Sequence, residues 1–328
     1  MKKIIAVIGS GSWGIAMANH LAEMENKVKV WSFSKEEKDL INNERKCMFI
    51  PDMKVNENIY CSNDIKEVVD GADFIIHVTP SKFTRNVFKS YKEYVGDKPI
   101  IICSKGLEDN SLLTLDQVLK EEKSDVRVGA LSGPSYATEV ISHIPTAILL
   151  GSKDEKILEE IPPILSNEYM RIYKSKDIVG VELGGALKNI IAFCAGICVE
   201  LGYGTNAQAA LITRGLAEIA RLGVKMGADE HTFYGLSGLG DLILTCSSDE
   251  SRNRRAGRLI GKGFTIEDAK KEIGMTIESV ENIKVAKKLA DKYNVEMPIV
   301  NEVYNVLFNN ENPKDAGKRL MTRELKFE

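Results

Sequence analysis

At 328 residues the chain is longer than a single hydrophobic core usually supports, so two domains are expected. A hydrophobic fraction of 44% and a charged fraction of 28% exclude a disordered chain and fit a globular protein with a full core. The net charge of -3 argues against general affinity for nucleic acid or for an anionic membrane.

Lys2 to Ile8 reads as a buried strand rather than a signal peptide, because the apolar run is short and enters a glycine turn. That turn is Gly9-Ser10-Gly11-Ser12-Trp13-Gly14, and an alanine-rich helix from Ile15 to Glu25 and a strand from Lys27 to Trp31 follow. Strand, glycine turn, helix and strand in close succession point to dinucleotide binding. Gly9 permits the tight turn, Gly11 lets a pyrophosphate approach, and Gly14 lets the helix pack closely, with the helix N-terminus donating to phosphate. An acid after the second strand would favour NAD, but the chain has Ser32-Phe33-Ser34 and then Lys35. NADP therefore stays open, with Glu36 and Glu37 as late substitutes for that acid.

Residues 42 to 63 are polar and irregular and read as a surface excursion. Helix and strand signals then alternate, with strands at Asp73 to Thr79, Pro99 to Ser104, Arg127 to Leu131, Ala147 to Gly151 and Met170 to Tyr173. His77 lies inside a strand and reads as a satisfied interior side chain. Lys105 follows the Pro99 strand, either at the edge where open parallel sheets bind ligands or as a solvated loop lysine, and the turn Ser132-Gly133-Pro134-Ser135-Tyr136-Ala137 should lie beside it.

Past Gly180 strand signals stop and helical patterns run from Val181 through Gly223 and on toward Phe308. The expected fold class is therefore α/β: a Rossmann-type dinucleotide-binding domain over residues 1–180, then an all-helical C-terminal domain over 181–328. The segment opening Val181-Glu182-Leu183-Gly184-Gly185-Ala186-Leu187-Lys188 places Gly184, Gly185, Lys188, Ala192, Ala195 and Gly196 on one helix face. Glycines inside a helix imply a close partner, either a packed helix or a ligand. Lys188 then either snorkels to water or faces that partner.

The apolar run from Ile190 to Val199 is too short to span a bilayer. Six cysteines without paired spacing, in a chain showing no export signal, suggest reduced thiols and a cytoplasmic protein; Cys194 and Cys198 share a face without histidines to complete a metal site. Gly238-Leu239-Gly240-Asp241 leads to Ser251-Arg252-Asn253-Arg254-Arg255. Ser251 reads as an N-cap, and Arg252 with Asn253 would surround a small anion. A solvated basic face is the alternative; a nucleic-acid face lacks interleaved aromatics.

Together these stretches resemble the bacterial NAD(P)-dependent glycerol-3-phosphate dehydrogenases over nearly the whole chain. The resemblance is carried by Gly9 to Gly14, Val78 to Ser81, Ser104 to Leu107, Ser132 to Glu139, Val181 to Asn189, Asn206 to Gly223, Gly238 to Asn253 and Met297-Pro298-Ile299. It implies NAD or NADP as cofactor and reversible reduction of dihydroxyacetone phosphate to sn-glycerol 3-phosphate, supplying glycerophospholipid synthesis. It also implies Lys188 as general acid/base, with Lys105, Gly133, Ser135, Lys188, Asp241, Ser251, Arg252 and Asn253 at the substrate. Gly9, Gly11, Ser12, Trp13, Gly14, Phe33, Lys105, Ala137, Arg252 and Glu278 are implied at the cofactor, although Phe33 stands where relatives often carry a basic residue or histidine. The expected partner is this small-molecule substrate, with no nucleic acid and no membrane insertion, and a homodimer is left open. A related dehydrogenase with a carboxylate pocket, or a silent NAD(P)-binding sensor, are the competing readings.

Overall fold

The computed structural model describes residues 2–325 and residue 327. The chain divides into two compact units, one of Met1–Lys105 with Leu113–Glu182 and one of Gly106–Leu112 with Leu183–Glu328.

Among the described residues the first unit has ten strands: β1 (Ile4–Ile8), β2 (Lys27–Trp31), β3 (Lys46–Cys47), β4 (Ile50–Lys54), β5 (Ile59–Ser62), β6 (Phe74–His77), β7 (Ile100–Ile102), β8 (Val128–Ser132), β9 (Thr146–Gly151) and β10 (Met170–Ser175). β3 and β4 form a separate antiparallel ribbon, and the rest form one sheet in the order β10-β9-β8-β7-β6-β1-β2-β5. From β5 to β8 every pairing is parallel. The apolar strands β1, β6 and β7 are covered on both faces, as parallel strands flanked by helices must be. β9 runs antiparallel to β8, and β10 parallel to β9.

After β1 the chain adds β2 on one side and later β6 on the other, so the strand order reverses at β1. Open sheets of this kind bind ligands at that reversal, beyond the carboxyl ends of the strands. The helix that follows β1, α1 (Ser12–Glu23), begins there.

The expected surface excursion at 42–63 is corrected: it contains the β3–β4 ribbon and the sheet edge strand β5. β5 buries Ile59 and Cys61 and exposes Tyr60, a period too short to stand out between polar flanks. His77 is an interior side chain with both ring nitrogens engaged, Nδ1 at 2.9 Å from Tyr91 Oη and Nε2 at 2.9 Å from Thr79 Oγ1. Burial pulls its pKa down to about 3.

The second unit is helical. Its main elements are α2 (Ile178–Glu200, whose first turn belongs to the first unit), α3 (Thr205–Lys225), α4 (Asp241–Ser247), α5 (Arg252–Gly261), α6 (Glu278–Tyr293) and α7 (Pro298–Phe308). The helical run read from Val181 through Gly223 is thus two helices, broken where Gly202 takes φ +76°. At 23 residues α2 is longer than its Ile190–Val199 run and reaches the length and hydropathy of a membrane span, yet its most apolar window is 94% buried within the protein. It is a buried helix, apolar around most of its surface, with Glu182, Lys188 and Asn189 as buried polar exceptions.

The glycine face of α2 meets protein. A Cβ on Gly184 would lie 2.5 Å from the carbonyl of Ser237, one on Gly196 would lie 2.0 Å from that of Arg254, and one on Gly257 of α5 would lie 1.9 Å from that of Phe193. Backbones pass too closely there for any side chain, which accounts for glycines that otherwise weaken a helix by about 1 kcal/mol each.

Candidate active site

In the first unit, Gly9 takes φ +126°, and a Cβ would meet the Val78 carbonyl at 2.9 Å. Gly14 is packed tighter, its missing Cβ falling 2.1 Å from the Gly9 carbonyl. Gly11 differs from both, since nothing lies within 4 Å of its Cβ position. As the N-cap of α1 it has no side chain to occupy the first-turn N–H groups. An open approach to bare helix donors at the sheet reversal fits the pyrophosphate of a dinucleotide.

Two further segments converge beside that turn. Trp13 Nε1 donates to the Ser135 carbonyl at 3.0 Å. Lys105, just past β7, donates to the Gly133 carbonyl at 3.2 Å, and Ser135 Oγ donates to the same oxygen at 3.0 Å. Gly133 takes φ +150° against Ile148, a position that excludes other residues. Ala137 starts the short helix Ala137–Ile141 and packs on the core beside Trp13. Gly9, Gly11, Ser12, Trp13, Gly14, Lys105, Gly133, Ser135 and Ala137 therefore share one region. Phe33 is not held with them, being 91% exposed past the end of β2.

In the second unit, Lys188 is 6% exposed, so it does not snorkel to water. Its ammonium donates to Asp241 Oδ1 and, at 2.8 Å, to Thr245 Oγ1, while Thr245 Oγ1 donates to the Asp241 carbonyl at 2.6 Å. Asp241 is delivered by a π-helical turn, Leu236–Gly240, which runs directly into α4. Gly238 in that turn has no room for a side chain, its Cβ position lying 2.1 Å from the Phe233 carbonyl.

Asn189 Nδ2, next to Lys188, donates to Glu278 Oε2 at 3.2 Å, and the following residue, Ser279, donates its N–H to Asn253 Oδ1 at 3.0 Å. Ser251 Oγ accepts from the Arg254 N–H at 3.2 Å and caps α5. The arginines of α5 divide by partner. Arg254 and Arg258 both pair with Asp249, and Arg255 is exposed. Arg252 is half-buried, with no protein partner for its guanidinium among the described residues. The Asn253 amide nitrogen is likewise without a partner there. Donors that the protein leaves over in this way are what anion binding requires.

Residues 4–158 match the family described as NAD-dependent glycerol-3-phosphate dehydrogenase N-terminus, and residues 177–318 match its C-terminus. The glycerol-3-phosphate dehydrogenase [NAD(P)+] of Fusobacterium nucleatum is 45% identical over 99% of this chain and 98% of its own. The chain belongs to the NAD-dependent glycerol-3-phosphate dehydrogenase family. The Bacillus subtilis enzyme of the same name is 46% identical over 98% of this chain and 95% of its own. The crystal structure of the Coxiella burnetii glycerol-3-phosphate dehydrogenase superposes with a TM-score of 0.95 at 37% identity, covering 98% of this chain and 99% of that one. The Rossmann-type domain followed by a helical domain is thus the glycerol-3-phosphate dehydrogenase fold, and the chain is an NAD(P)-dependent oxidoreductase.

Two residues of this candidate site escaped the sequence reading. Thr245 fixes the Lys188 ammonium, and its one signal was the i, i+4 spacing from Asp241 on a single helix face. Asn189 joins the lysine helix to Glu278, for which adjacency to Lys188 was the only hint.

Proposed function

We propose that the chain reversibly reduces dihydroxyacetone phosphate to sn-glycerol 3-phosphate, with Lys188 as general acid/base, and so feeds glycerophospholipid synthesis. Residues 1–180 serve the cofactor and 181–328 supply most substrate contacts. The observation that carries this reading is the buried Lys188–Asp241–Thr245 cluster, where a cation that also holds protons is fixed by two acceptors.

Bound NAD(P)H would supply the hydride, leaving as NAD(P)+. Negative charge then grows on the ketone oxygen, and the Lys188 ammonium is suited to stabilise that charge and to give the oxygen its proton. In the reverse direction the neutral amine takes the proton from the alcohol. Asp241 and Thr245 orient the nitrogen so that little reorganisation is needed at the moment of transfer. Arg252 and the Asn253 amide, both with donors to spare, suit the substrate phosphate. Lys105, Gly133 and Ser135 are the contacts proposed from the first domain. The six free thiols fit a reducing compartment, for which we take the cytoplasm.

The test is oxidation of NADH or NADPH by the purified protein with dihydroxyacetone phosphate, with 6-phosphogluconate and 3-hydroxyisobutyrate run in the oxidative direction as controls. Lys188→Ala is expected to lose about 10²–10⁴-fold in turnover while still binding cofactor. Near-normal turnover in that variant removes the acid/base role.

A further inference from the structure

We propose that Glu37 sets coenzyme choice in this chain, its carboxylate lying beside the adenosine ribose, where it accepts from the ribose hydroxyls of NAD and repels the 2′-phosphate of NADP. The proposal rests on the dinucleotide reading above and deepens it.

In doubly wound dinucleotide domains an acid just beyond the second strand binds the ribose 2′-hydroxyl. Here β2 ends at Trp31, and Ser32 and Phe33 occupy that stretch. The chain brings a carboxylate back to it by another route. Ser34 Oγ accepts from the Glu37 N–H at 3.2 Å and starts the short helix Lys35–Asp39, which turns the Glu37 side chain toward the sheet.

There Glu37 Oε2 accepts from Ser32 Oγ at 3.0 Å and from Ser10 Oγ. Ser10 stands between Gly9 and Gly11, and the two hydroxyls lie 2.8 Å apart, both buried. The carboxylate is therefore pinned across the carboxyl ends of β1 and β2, against the same turn that receives the pyrophosphate. Both bonds use Oε2, so Oε1 has no protein partner among the described residues and remains an acceptor. Glu36, the other substitute in the sequence, is exposed and makes no such bond.

A 2′-phosphate at this place finds little positive charge. Phe33 is uncharged, Lys38 is paired with Asp39 at 3.2 Å, and Lys35 to Asp39 carries two cations against three anions. Lys35 is exposed and is the one cation opposing the trend. The carboxylate held by two hydroxyls is bonded directly to the glycine turn through Ser10. Like charges brought together in this way discriminate strongly against the wrong ligand.

The test is equilibrium binding, with NADH and NADPH titrated separately into the full-length protein and followed by nicotinamide fluorescence. Wild type is expected to bind NADH at least about 10-fold more tightly than NADPH, and Glu37→Gln to shrink that ratio about 10-fold, mainly by gaining NADPH affinity. Thermal melting checks that the variant is folded. Equal wild-type affinities, or a ratio that Glu37→Gln leaves unchanged, overturn the proposal. If Glu37→Gln weakens both coenzymes by the same factor, Glu37 only braces the turn, and the proposal again falls. Failure of wild type to bind either coenzyme is a different result, which removes the dinucleotide reading and the proposal with it.

Discussion

Lys188 and Asp241 meet as a buried ion pair across 53 residues of sequence, at 6% and 1% exposure. Removing one member of such a pair strands the other charge, a loss of about 3–5 kcal/mol, whereas removing both costs much less. Asp241→Ala should therefore unfold in distinctly less denaturant than wild type, and Lys188→Met combined with Asp241→Ala should recover part of that loss. Equilibrium denaturation of the four proteins in this double-mutant cycle gives the coupling; strict additivity of the two single changes contradicts the pairing.

Two glycines of the same turn should behave in opposite ways. A Cβ at Gly14 meets the Gly9 carbonyl at 2.1 Å, so Gly14→Ala must push the backbone apart and lower the melting temperature. A Cβ at Gly11 meets nothing, so Gly11→Ala should stay within about 1 kcal/mol of wild type and lose cofactor affinity because the methyl fills the approach to the helix donors. Melting curves together with NADH titration separate the two effects. A Gly11→Ala protein with unaltered affinity shows that nothing binds at that opening.

The arginines of α5 offer an internal control. Arg252 is half-buried with an unengaged guanidinium, and Arg255 projects into water. Arg252→Ala should raise KM for dihydroxyacetone phosphate by about 10–100-fold, the scale of a lost charge-assisted contact, while Arg255→Ala should leave KM near wild type. Equal effects at the two positions speak for a diffuse basic face rather than a phosphate anchor.

What the sequence disclosed follows from how local the determining physics is. The glycine turn was legible because Gly9 and Gly14 answer to constraints within a few residues, Val78 apart. The glycine strip on α2 was legible as a demand for close approach, but the sequence could not say that the approaching groups are the Ser237 and Arg254 carbonyls. β5 was missed because its buried apolar residues are only Ile59 and Cys61. The acid expected straight after β2 arrives five residues beyond Ser32, carried back by a turn of helix. Thr245 and Asp241 meet Lys188 only through tertiary packing of the π-helical turn, for which no sequence period exists.

Glu218 on α3 gives a prediction in pH. Its carboxylate accepts from the N–H groups of Ile299 at 2.8 Å and Val300 at 3.3 Å, at the start of α7. Burial pushes its pKa up from 4.5 to about 7, and the two backbone bonds and the charges of Arg221 and Arg323 only partly oppose this. A folded-state pKa above the unfolded one means that the stabilising form is the protonated acid. Its contribution is complete below about pH 4.5 and is lost as the pH rises through about 7, a swing of about 3 kcal/mol. Glu218→Gln does not titrate, so the stability of the variant relative to wild type should climb between pH 4.5 and 7 and level off above, whatever constant offset the amide introduces. Denaturant midpoints of both proteins at matched pH values measure that difference. A difference that stays flat across the window means that Glu218 carries no such shift.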